Sequence, residues 1–169
     1  MLILAKSLHQ IRFGELMQVY ADSNVEKASD WPDLPKGFAL MQAEQDFRQY
    51  LEEVFFRTPS AVCAIWEEKG KYVSALRLEP YRDGLLLEGL ETHPDCRRKG
   101  YGAALIRAVG EYLSDWGAVK IYSHVKKRNI PSLRIHVKCG FIKIADHASC
   151  IDGSVDPCSV TLLSEVGLR

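Results

Sequence analysis

Residues 97–103 read Arg-Arg-Lys-Gly-Tyr-Gly-Ala, a basic turn with two glycines, and this stretch decides the fold. A strand-like apolar run, residues 85–92, precedes the turn, and an amphipathic helix follows it. Glycines let the backbone approach an anion closely, the first amides of a helix have no acceptor within the helix, and the helix dipole adds positive potential. Three cationic side chains reinforce this field. The turn is therefore expected to hold a phosphate group.

The spacing of the glycines excludes two common phosphate-binding loops. No Gly-Lys-Ser/Thr follows the glycines, as a Walker loop would require. Leu105 stands where the dinucleotide fingerprint Gly-x-Gly-x-x-Gly has its third glycine. A different phosphate-binding family is needed to explain the pattern.

The turn is similar to Arg/Gln-x-x-Gly-x-Gly/Ala, the loop that holds the pyrophosphate of coenzyme A in GNAT-type N-acetyltransferases. Residues 90–95 resemble the strand and turn that lead into that loop in the family. Asn129, followed eleven residues later by Gly140-Phe141, resembles the second diagnostic stretch of the family. Two motifs in the family's order and separation are more specific than either alone, and together they span residues 85–141.

The resemblance implies an α/β (mixed α+β) fold with a central, mostly antiparallel sheet and helices on both faces. The sheet would splay at two parallel strands, expected at 84–92 and 119–125. With 169 residues the chain suits a single domain, 1–169, that can bury a substantial core.

The remaining elements follow from apolar periodicity and turn residues. Ser7 and Gln10 match a capping box and predict a helix to about residue 21, and the polar residues 22–39 predict a long loop. The other expected elements are a strand at 2–4, a helix bearing Phe47, Tyr50, Leu51, Val54 and Phe55, a hairpin of strands near 61–66 and 71–78, a helix at 103–116 whose apolar stripe runs from Ala104 to Trp116, a helix at 130–139, and strands at 141–148 and 158–166.

Composition and charge are those of an ordinary soluble domain. The formal net charge is zero, so no overall field favours nucleic acid or an anionic membrane, and neither is an expected partner. Met1–Ala5 is too short for a signal or membrane segment. The five cysteines show no Cys-x-x-Cys, which predicts neither a metal site nor a disulfide framework and favours a cytoplasmic protein with reduced thiols.

The resemblance implies that acetyl-coenzyme A is the co-substrate and indicates which residues bind it. Backbone amides of the glycine turn would hold the pyrophosphate, and the strand before it would pair with the pantetheine arm as an added strand. Asn129 would contact the arm, with Ser132 nearby, or would cap the helix that contains Pro131; both roles are compatible. The binding residues so implied are Leu90, Glu91, Thr92, Arg97, Arg98, Lys99, Gly100, Tyr101, Gly102, Ala103, Asn129 and Ser132.

The implied reaction is direct attack of an amine on the thioester, and a carboxylate is expected to remove the proton of the amine. By the period of two, Glu88 shares a strand face with Leu90 and Thr92, whereas Glu91 points to the opposite face. Family members often carry an acidic base on the Glu88 side, so Glu88 is the predicted base. The alternative is that Glu88 forms an ion pair with a surface Lys or Arg.

The predicted acid is His136, because it stands seven residues after Asn129, where the family has a tyrosine. Histidine titrates near neutrality and could protonate the departing thiolate. In the alternative, His136 is a packed helix residue and solvent supplies the proton. Tyr122 and His124 are weaker substitutes.

The acceptor amine is predicted only as a class, the primary amine of a small molecule or peptide. The family's loop between the first helices implies that Trp31 and Phe38 contact the acceptor, and Tyr72 is a further candidate; these residues could instead pack the loop. The second basic cluster, residues 126–128, is interpreted as solvated surface, although it could attract the adenosine end of the coenzyme. The alternative function is a catalytically weak or inactive member of the fold that binds coenzyme A as a sensor or partner module, and a homodimer is compatible with both.

Overall fold

A computed structural model of the protein describes residues 1–167 and contains a mixed α/β arrangement of five helices and nine strands in those residues. Short 3-10 turns lie at Leu8–Gln10, Phe55–Arg57 and Pro94–Cys96. The elements in chain order are β1 (Leu2–Ala5), α1 (Phe13–Val19), α2 (Ala21–Ala28), α3 (Lys36–Glu53), β2 (Val62–Glu68), β3 (Lys71–Tyr81), β4 (Gly84–Thr92), α4 (Tyr101–Ser114), β5 (Val119–Lys126), α5 (Ile130–Lys138), β6 (Ile142–Ala145), β7 (Ala148–Ser149), β8 (Val155–Asp156) and β9 (Ser159–Val166).

The main sheet has seven strands in the order β1-β2-β3-β4-β5-β9-β6. All neighbouring pairs are antiparallel except β4 and β5, which are parallel. The short strands β7 and β8 pair with each other apart from this sheet. The predicted fold class, a mostly antiparallel sheet with one parallel pair and helices on both faces, is confirmed.

The two faces of the sheet carry separate apolar cores. On one face, Leu105 and Val109 of α4 pack with Leu76 and Leu87 of the central strands. On the other face, α1 and α3 bury their apolar sides against β2 and β3; the members of this second core include Leu16, Leu51, Phe55, Cys63, Ile65 and Ala75. In β4, Leu86 and Leu87 are buried between the two cores, whereas residues 88–92, beyond the pairing with β5, are partly exposed.

The predicted starting point of the first helix is wrong. Ser7 has an extended backbone, and its side chain makes no capping hydrogen bond. A single 3-10 turn follows, with Leu8 buried in the core, and α1 begins only at Phe13. The capping-box spacing was therefore coincidental, because apolar burial of this segment takes precedence over helix formation.

The expected loop at 22–39 is also wrong, because α2 and the start of α3 occupy most of it. Only residues 29–35, which contain both prolines, are without helix. Asn24 is buried and donates to Sδ of Met17 at 3.4 Å, so α2 docks through a polar residue rather than an apolar stripe. The apolar stripe predicted for α4 is correct for Leu105 and Val109, but Trp116 lies beyond the end of the helix and is 72% exposed.

None of the helices among residues 1–167 combines the length and the apolar character that crossing a membrane requires.

Candidate functional site

A wedge-shaped gap opens between the parallel strands β4 and β5. The two strands pair only where Leu85–Leu87 lies beside Ile121–Ser123. Beyond these residues β4 continues to Thr92 and β5 continues to Lys126, but the ladder between them has ended. The side of β4 that faces the gap therefore presents backbone groups that an extended ligand can pair with. Glu88 and His124 are the first residues past the last paired positions.

A bulge in β4 determines which side chains face which side of the gap. Glu88 lies opposite Arg77 and Glu91 lies opposite Ala75, so between these pairs one residue of β3 faces two residues of β4. Gly89 forms the bulge with φ of 59°, and a Cβ atom at this position would lie 2.7 Å from Nη1 of Arg77. Glycine is therefore required both by the left-handed backbone and by the guanidinium above it.

The bulge corrects the face predicted for Glu88. Because Arg77 and Ala75 are two residues apart on β3, their partners Glu88 and Glu91 share one face, on the side of α1–α3. Leu90 and Thr92 lie on the other face, where they border Gly102 of α4. Strict alternation is valid only for a regular strand, and a glycine inside a strand is the signal that could have indicated the exception.

On the α4 face, the helix N-terminus is left without a cap. Gly100 is the N-cap residue with φ of 84°, no side chain bonds the first amides, and the first turn carries no acidic residue. A Cβ atom at Gly100 would meet nothing within 4 Å, so the space in front of the helix is open. At Gly102 a Cβ atom would lie 3.4 Å from Oγ1 of Thr92, so β4 and α4 are in close contact. The first amides of α4 are therefore accessible to an anion.

The cations of the turn are partly held by other groups. Nη2 of Arg97 lies 2.6 Å from Oδ2 of Asp22, and its Nε donates to the carbonyl oxygen of Thr92 at 3.3 Å. Nζ of Lys99 donates to the carbonyl oxygen of Asp95 at 3.1 Å. The side chain of Lys99 is therefore fixed without being neutralised, whereas Arg97 forms an ion pair that joins the turn to α2.

The second diagnostic stretch forms a self-capped helix. Oδ1 of Asn129 accepts from the backbone N–H of Ser132 at 3.2 Å, and Pro131 follows in the first turn of α5. The capping alternative for Asn129 is thus present in the structure. A contact of Asn129 with the pantetheine arm stays a prediction.

His136 is enclosed between α5 and β5 and is only 1% exposed. Its Nδ1 donates to the carbonyl oxygen of Ser132 at 2.8 Å, which leaves Nε2 to accept from Oγ of Ser123 at 2.9 Å. The ring also packs edge-on against Phe141. Burial lowers the pKa of His136 below its ordinary value. Both ring nitrogens are satisfied, and this placement favours the interpretation of His136 as a packed helix residue.

On the opposite face, a buried arginine supports Glu88. Nε of Arg77 lies 3.4 Å from Oε1 of Glu88. Tyr20, whose ring lies beside the Arg77 guanidinium, donates from its hydroxyl to the carbonyl oxygen of Gly89 at 2.8 Å. The Arg77 guanidinium lies within 6.0 Å of four aromatic ring centres, where cation–π attraction offsets part of its desolvation. These rings belong to Tyr20, Phe47, Tyr50 and Phe55.

Further ionisable groups complete this face. Burial and the charge of Glu88 raise the pKa of Glu79 to about 7. Burial and, secondarily, the Arg82 guanidinium lower the pKa of His124, and its Nε2 is buried without a hydrogen-bond partner among residues 1–167. Burial also raises the pKa of Glu91, whose carboxylate accepts a hydrogen bond from Ser23. The face therefore holds one carboxylate, Glu79, that can take up a proton near neutral pH.

The predicted acceptor residues are not brought together with Glu88. Trp31 lies between α2 and α3 beneath the Lys27 ammonium, and Phe38 on α3 is 64% exposed. Tyr72 is buried near the beginning of β3, where the Arg12 guanidinium lies 4.2 Å from its ring centre. Their roles in acceptor binding stay predictions.

Arg77 and Glu79 were not predicted from the sequence. The available signal was a pair of charged residues, two positions apart, inside the apolar run of β3. Charges placed so in a strand are rarely buried unless they are paired.

Comparisons with known proteins agree with the fold. The chain is similar to the ribosomal-protein-S18-alanine N-acetyltransferase from Escherichia coli, with 16% identity, a TM-score of 0.63, and coverage of 100% of this chain and 96% of the other. It is similar to the PaiA N-acetyltransferase from Thermoplasma acidophilum in complex with coenzyme A, with 12% identity, a TM-score of 0.62, and coverage of 98% of this chain and 99% of the other.

An aminoglycoside 6'-acetyltransferase type Ii is a third such structure, with 12% identity, a TM-score of 0.63, and coverage of 99% of this chain and 98% of the other. A search of curated protein sequences finds no match. The family model described as "Acetyltransferase (GNAT) family" matches residues 17–141, which include the bulged strand, the uncapped helix and the self-capped helix. The chain belongs to the GNAT acetyltransferase family.

Proposed function

We propose that the protein is an N-acetyltransferase that moves an acetyl group from acetyl-coenzyme A to the primary amine of a small molecule or peptide, by direct attack in a ternary complex. One observation carries this proposal. The gap between β4 and β5 has an uncapped, basic helix N-terminus on one face and a carboxylate cluster at its apex on the other. A phosphate-bearing donor and an amine acceptor can therefore approach the same point from two sides.

Acetyl-coenzyme A would be held by residues of the α4 face. The amides of Arg98–Ala103 would bind its diphosphate, with Arg97 and Lys99 supplying positive potential. The backbone of Leu90–Thr92 would pair with the amides of its arm. When bound, acetyl-coenzyme A supplies the thioester whose carbonyl carbon the amine attacks.

The residues of the opposite face would prepare the amine. An amine with a pKa of ~10.4 is protonated at neutral pH and must lose a proton before it can attack. Glu88, at the apex of the gap, would accept that proton directly or through water. Arg77 would hold Glu88 in place, and the neutral ring of His124 across the gap would leave the negative charge of Glu88 available to the ammonium group.

His136 would act by position rather than by proton transfer. Its bonds to Ser123 and Ser132 join α5 to β5 and so maintain the far wall of the gap. The departing thiolate, whose conjugate acid has a pKa of roughly 8.5, would take its proton from solvent.

The second candidate is a member of the fold that binds coenzyme A without turnover, as a sensor or partner module. The enclosure of His136 favours it, because no proton donor is then supplied from the position where the family has a tyrosine. The two candidates share the α4 site and differ only in whether the bound thioester is passed on to an amine.

Two measurements separate the candidates. Isothermal titration should show saturable binding of acetyl-coenzyme A to the wild-type protein. Chromatographic detection of free coenzyme A should then show release that depends on an added amine, tested with an aminoglycoside, a polyamine and a peptide with an N-terminal alanine. Binding without release on any amine would support the sensor, and the absence of saturable binding would contradict both candidates.

A further inference from the structure

Two carboxylates, not one, lie at the base of the gap on the α1–α3 face. Glu79 is opposite Leu86 and Glu88 is opposite Arg77 in the β3–β4 ladder. Glu79 and Glu88 are therefore diagonal neighbours on one face, with backbones ~7–8 Å apart, a separation that two glutamate side chains bridge readily. A charge on one carboxylate must then influence the other.

The two carboxylates have unequal surroundings. Glu88 has the Arg77 guanidinium at 3.4 Å, which stabilises its ionised form. Glu79 forms no ion pair with a residue in the described part of the chain, and it is partly buried. When the pair holds a single proton, that proton is therefore more stable on Glu79.

We propose, on the basis of the function proposed above, that Glu79 is the proton-holding partner of Glu88, so that the base of the reaction is a carboxylate pair. The N–H bond of the ammonium group breaks, its electron pair stays on nitrogen, and an O–H bond forms on Glu88. The proton then moves to a carboxylate oxygen of Glu79, which returns Glu88 to its ionised state. No oxidant, reductant or further reactant is required.

The other groups that face the pair are compatible with this role. Tyr50 from α3 and Tyr20 from the end of α1 border Arg77, and burial raises the pKa of both hydroxyls, so they stay neutral. His124 on β5 faces Glu88, and its lowered pKa keeps it neutral at pH 7. The more distant groups are Arg82 and Asp156 around His124, and Cys63 and Glu91 around Arg77. Arg77 is the cation in contact with the pair.

The pair should give the reaction its dependence on pH. Burial and the charge of Glu88 raise the pKa of Glu79 to about 7. Two carboxylates this close titrate in two steps that belong to the pair. Turnover should therefore rise with pH through the neutral range as the second proton leaves, rather than near the ordinary glutamate pKa of ~4.3.

The first test compares the pH profiles of kcat/KM for wild type and Glu79→Gln. In the variant, the proton can no longer be held on Glu79, so the acid limb should move down by at least one pH unit, with a fall of roughly tenfold in rate at about pH 8. Glu79→Asp should restore part of both effects. Glu52→Gln, which removes an exposed carboxylate on α3, is the matched control and should leave the profile unmoved. An acid limb in Glu79→Gln that coincides with that of wild type would overturn the proposal.

The second test does not depend on turnover. Carbon-13 NMR of labelled glutamate carboxyls should show Glu79 titrating near pH 7 in wild type and at lower pH in Glu88→Gln, because the neighbouring charge is gone. A wild-type Glu79 that titrates near ~4.3 would overturn the inference even in an active enzyme. The observed titration together with no acetyl transfer to any amine would overturn the proposed function instead, and with it the role of the pair.

Discussion

Helices α4 and α5 both follow a strand and a basic turn, but their N-termini differ. In α5 the side chain of Asn129 bonds the amide of Ser132 and so satisfies the helix with its own residues. In α4 the N-cap is Gly100, which has no side chain and leaves the first amides to a ligand. The anion site therefore depends on the missing cap, because both helices present a positive N-terminal end and neighbouring cations.

The cations near the two helices differ in the same way. Lys126 lies 2.6 Å from Asp156, and Lys127 lies 3.0 Å from Asp146, so two of the three cations in the cluster before α5 are paired with carboxylates. Before α4, Lys99 bonds a carbonyl oxygen and keeps its full charge. A ligand can therefore interact with the positive charge at α4, whereas most of the positive charge before α5 is already paired with surface carboxylates.

The largest expected effect, on the affinity for acetyl-coenzyme A, comes from placing a negative charge at the N-terminus of α4. In Gly100→Asp, the carboxylate would stand in the open space in front of the helix, against the diphosphate. Two like charges ~5 Å apart at an effective dielectric constant of ~20 repel by about 3 kcal/mol, which corresponds to a loss in affinity on the order of 100-fold. Isothermal titration with acetyl-coenzyme A measures the loss.

The matched control is Gly100→Asn. It has nearly the same shape and the same backbone cost at positive φ, and asparagine tolerates that conformation. Its affinity should fall less than that of Gly100→Asp, because an asparagine amide can compete for the first amides of the helix but carries no charge that repels the diphosphate. Equal losses in the Asp and Asn variants would show that geometry rather than charge is responsible.

The second effect concerns stability and is expected at α5. His136→Phe removes both ring bonds and leaves the hydroxyl of Ser123 without its partner in the core. The free energy of unfolding in urea should fall by about 2 kcal/mol, while the pH profile of turnover should keep its shape. His136→Gln, which can still accept from Ser123, should recover part of the loss. If one limb of the pH profile of turnover disappeared in His136→Phe, His136 would be the acid that protonates the departing thiolate.

His136 also predicts how stability depends on pH. Its folded-state pKa lies below its unfolded value of ~6.5, so protons bind preferentially to the unfolded chain. The stabilisation is complete above pH ~6.5 and is lost as the pH falls from there through the folded-state pKa. Urea titrations between about pH 7.5 and pH ~5 should show a shallower decline in His136→Phe than in wild type. Parallel curves would contradict this assignment.

The sequence predicted α5 and β4 well because local chemistry fixes their ends, whereas α4, expected at 103–116, lies two residues earlier, at Tyr101–Ser114. The expected strand at 84–92 and helix at 130–139 correspond to Gly84–Thr92 and Ile130–Lys138 in the structure. The glycine turn precedes one helix, and the Asn-x-Pro cap begins the other. In such segments a few neighbouring residues determine the backbone, so the local sequence is sufficient to predict it.

The acceptor face could not be predicted, because its geometry depends on contacts between distant segments. The bulge at Gly89 reverses the faces of Glu88 and Leu90, and it is stabilised by Tyr20, which is remote from it along the chain. Arg77 is enclosed by aromatic rings from α1, α3 and the turn after α3. No local sequence pattern specifies the contacts between these distant segments. The ion pair between Arg77 and Glu88 was therefore not predicted.

The third effect measures the cap of α5 alone. Asn129→Ala should lower the free energy of unfolding by about 1 kcal/mol, since the amide of Ser132 loses its acceptor. Asn129→Asp keeps an acceptor at the same place and should match wild type in urea denaturation. If both variants also weakened acetyl-coenzyme A binding more than about tenfold, which is about 1.4 kcal/mol, Asn129 would have a direct role at the arm.

The smallest effect compares single cations of the two turns. Lys99→Ala removes a charge that no carboxylate within residues 1–167 neutralises, and it should weaken acetyl-coenzyme A binding about threefold, or ~0.6 kcal/mol, at low salt. Lys127→Ala removes a charge already paired with Asp146 and should leave the affinity unchanged. The loss in Lys99→Ala should shrink in high salt, because an exposed charge is screened over ~10 Å at about 0.1 M ionic strength. A salt-sensitive loss of equal size in Lys127→Ala would show instead that the adenosine end of the coenzyme reaches the second cluster, and the contrast between the two turns would then lie in their caps alone.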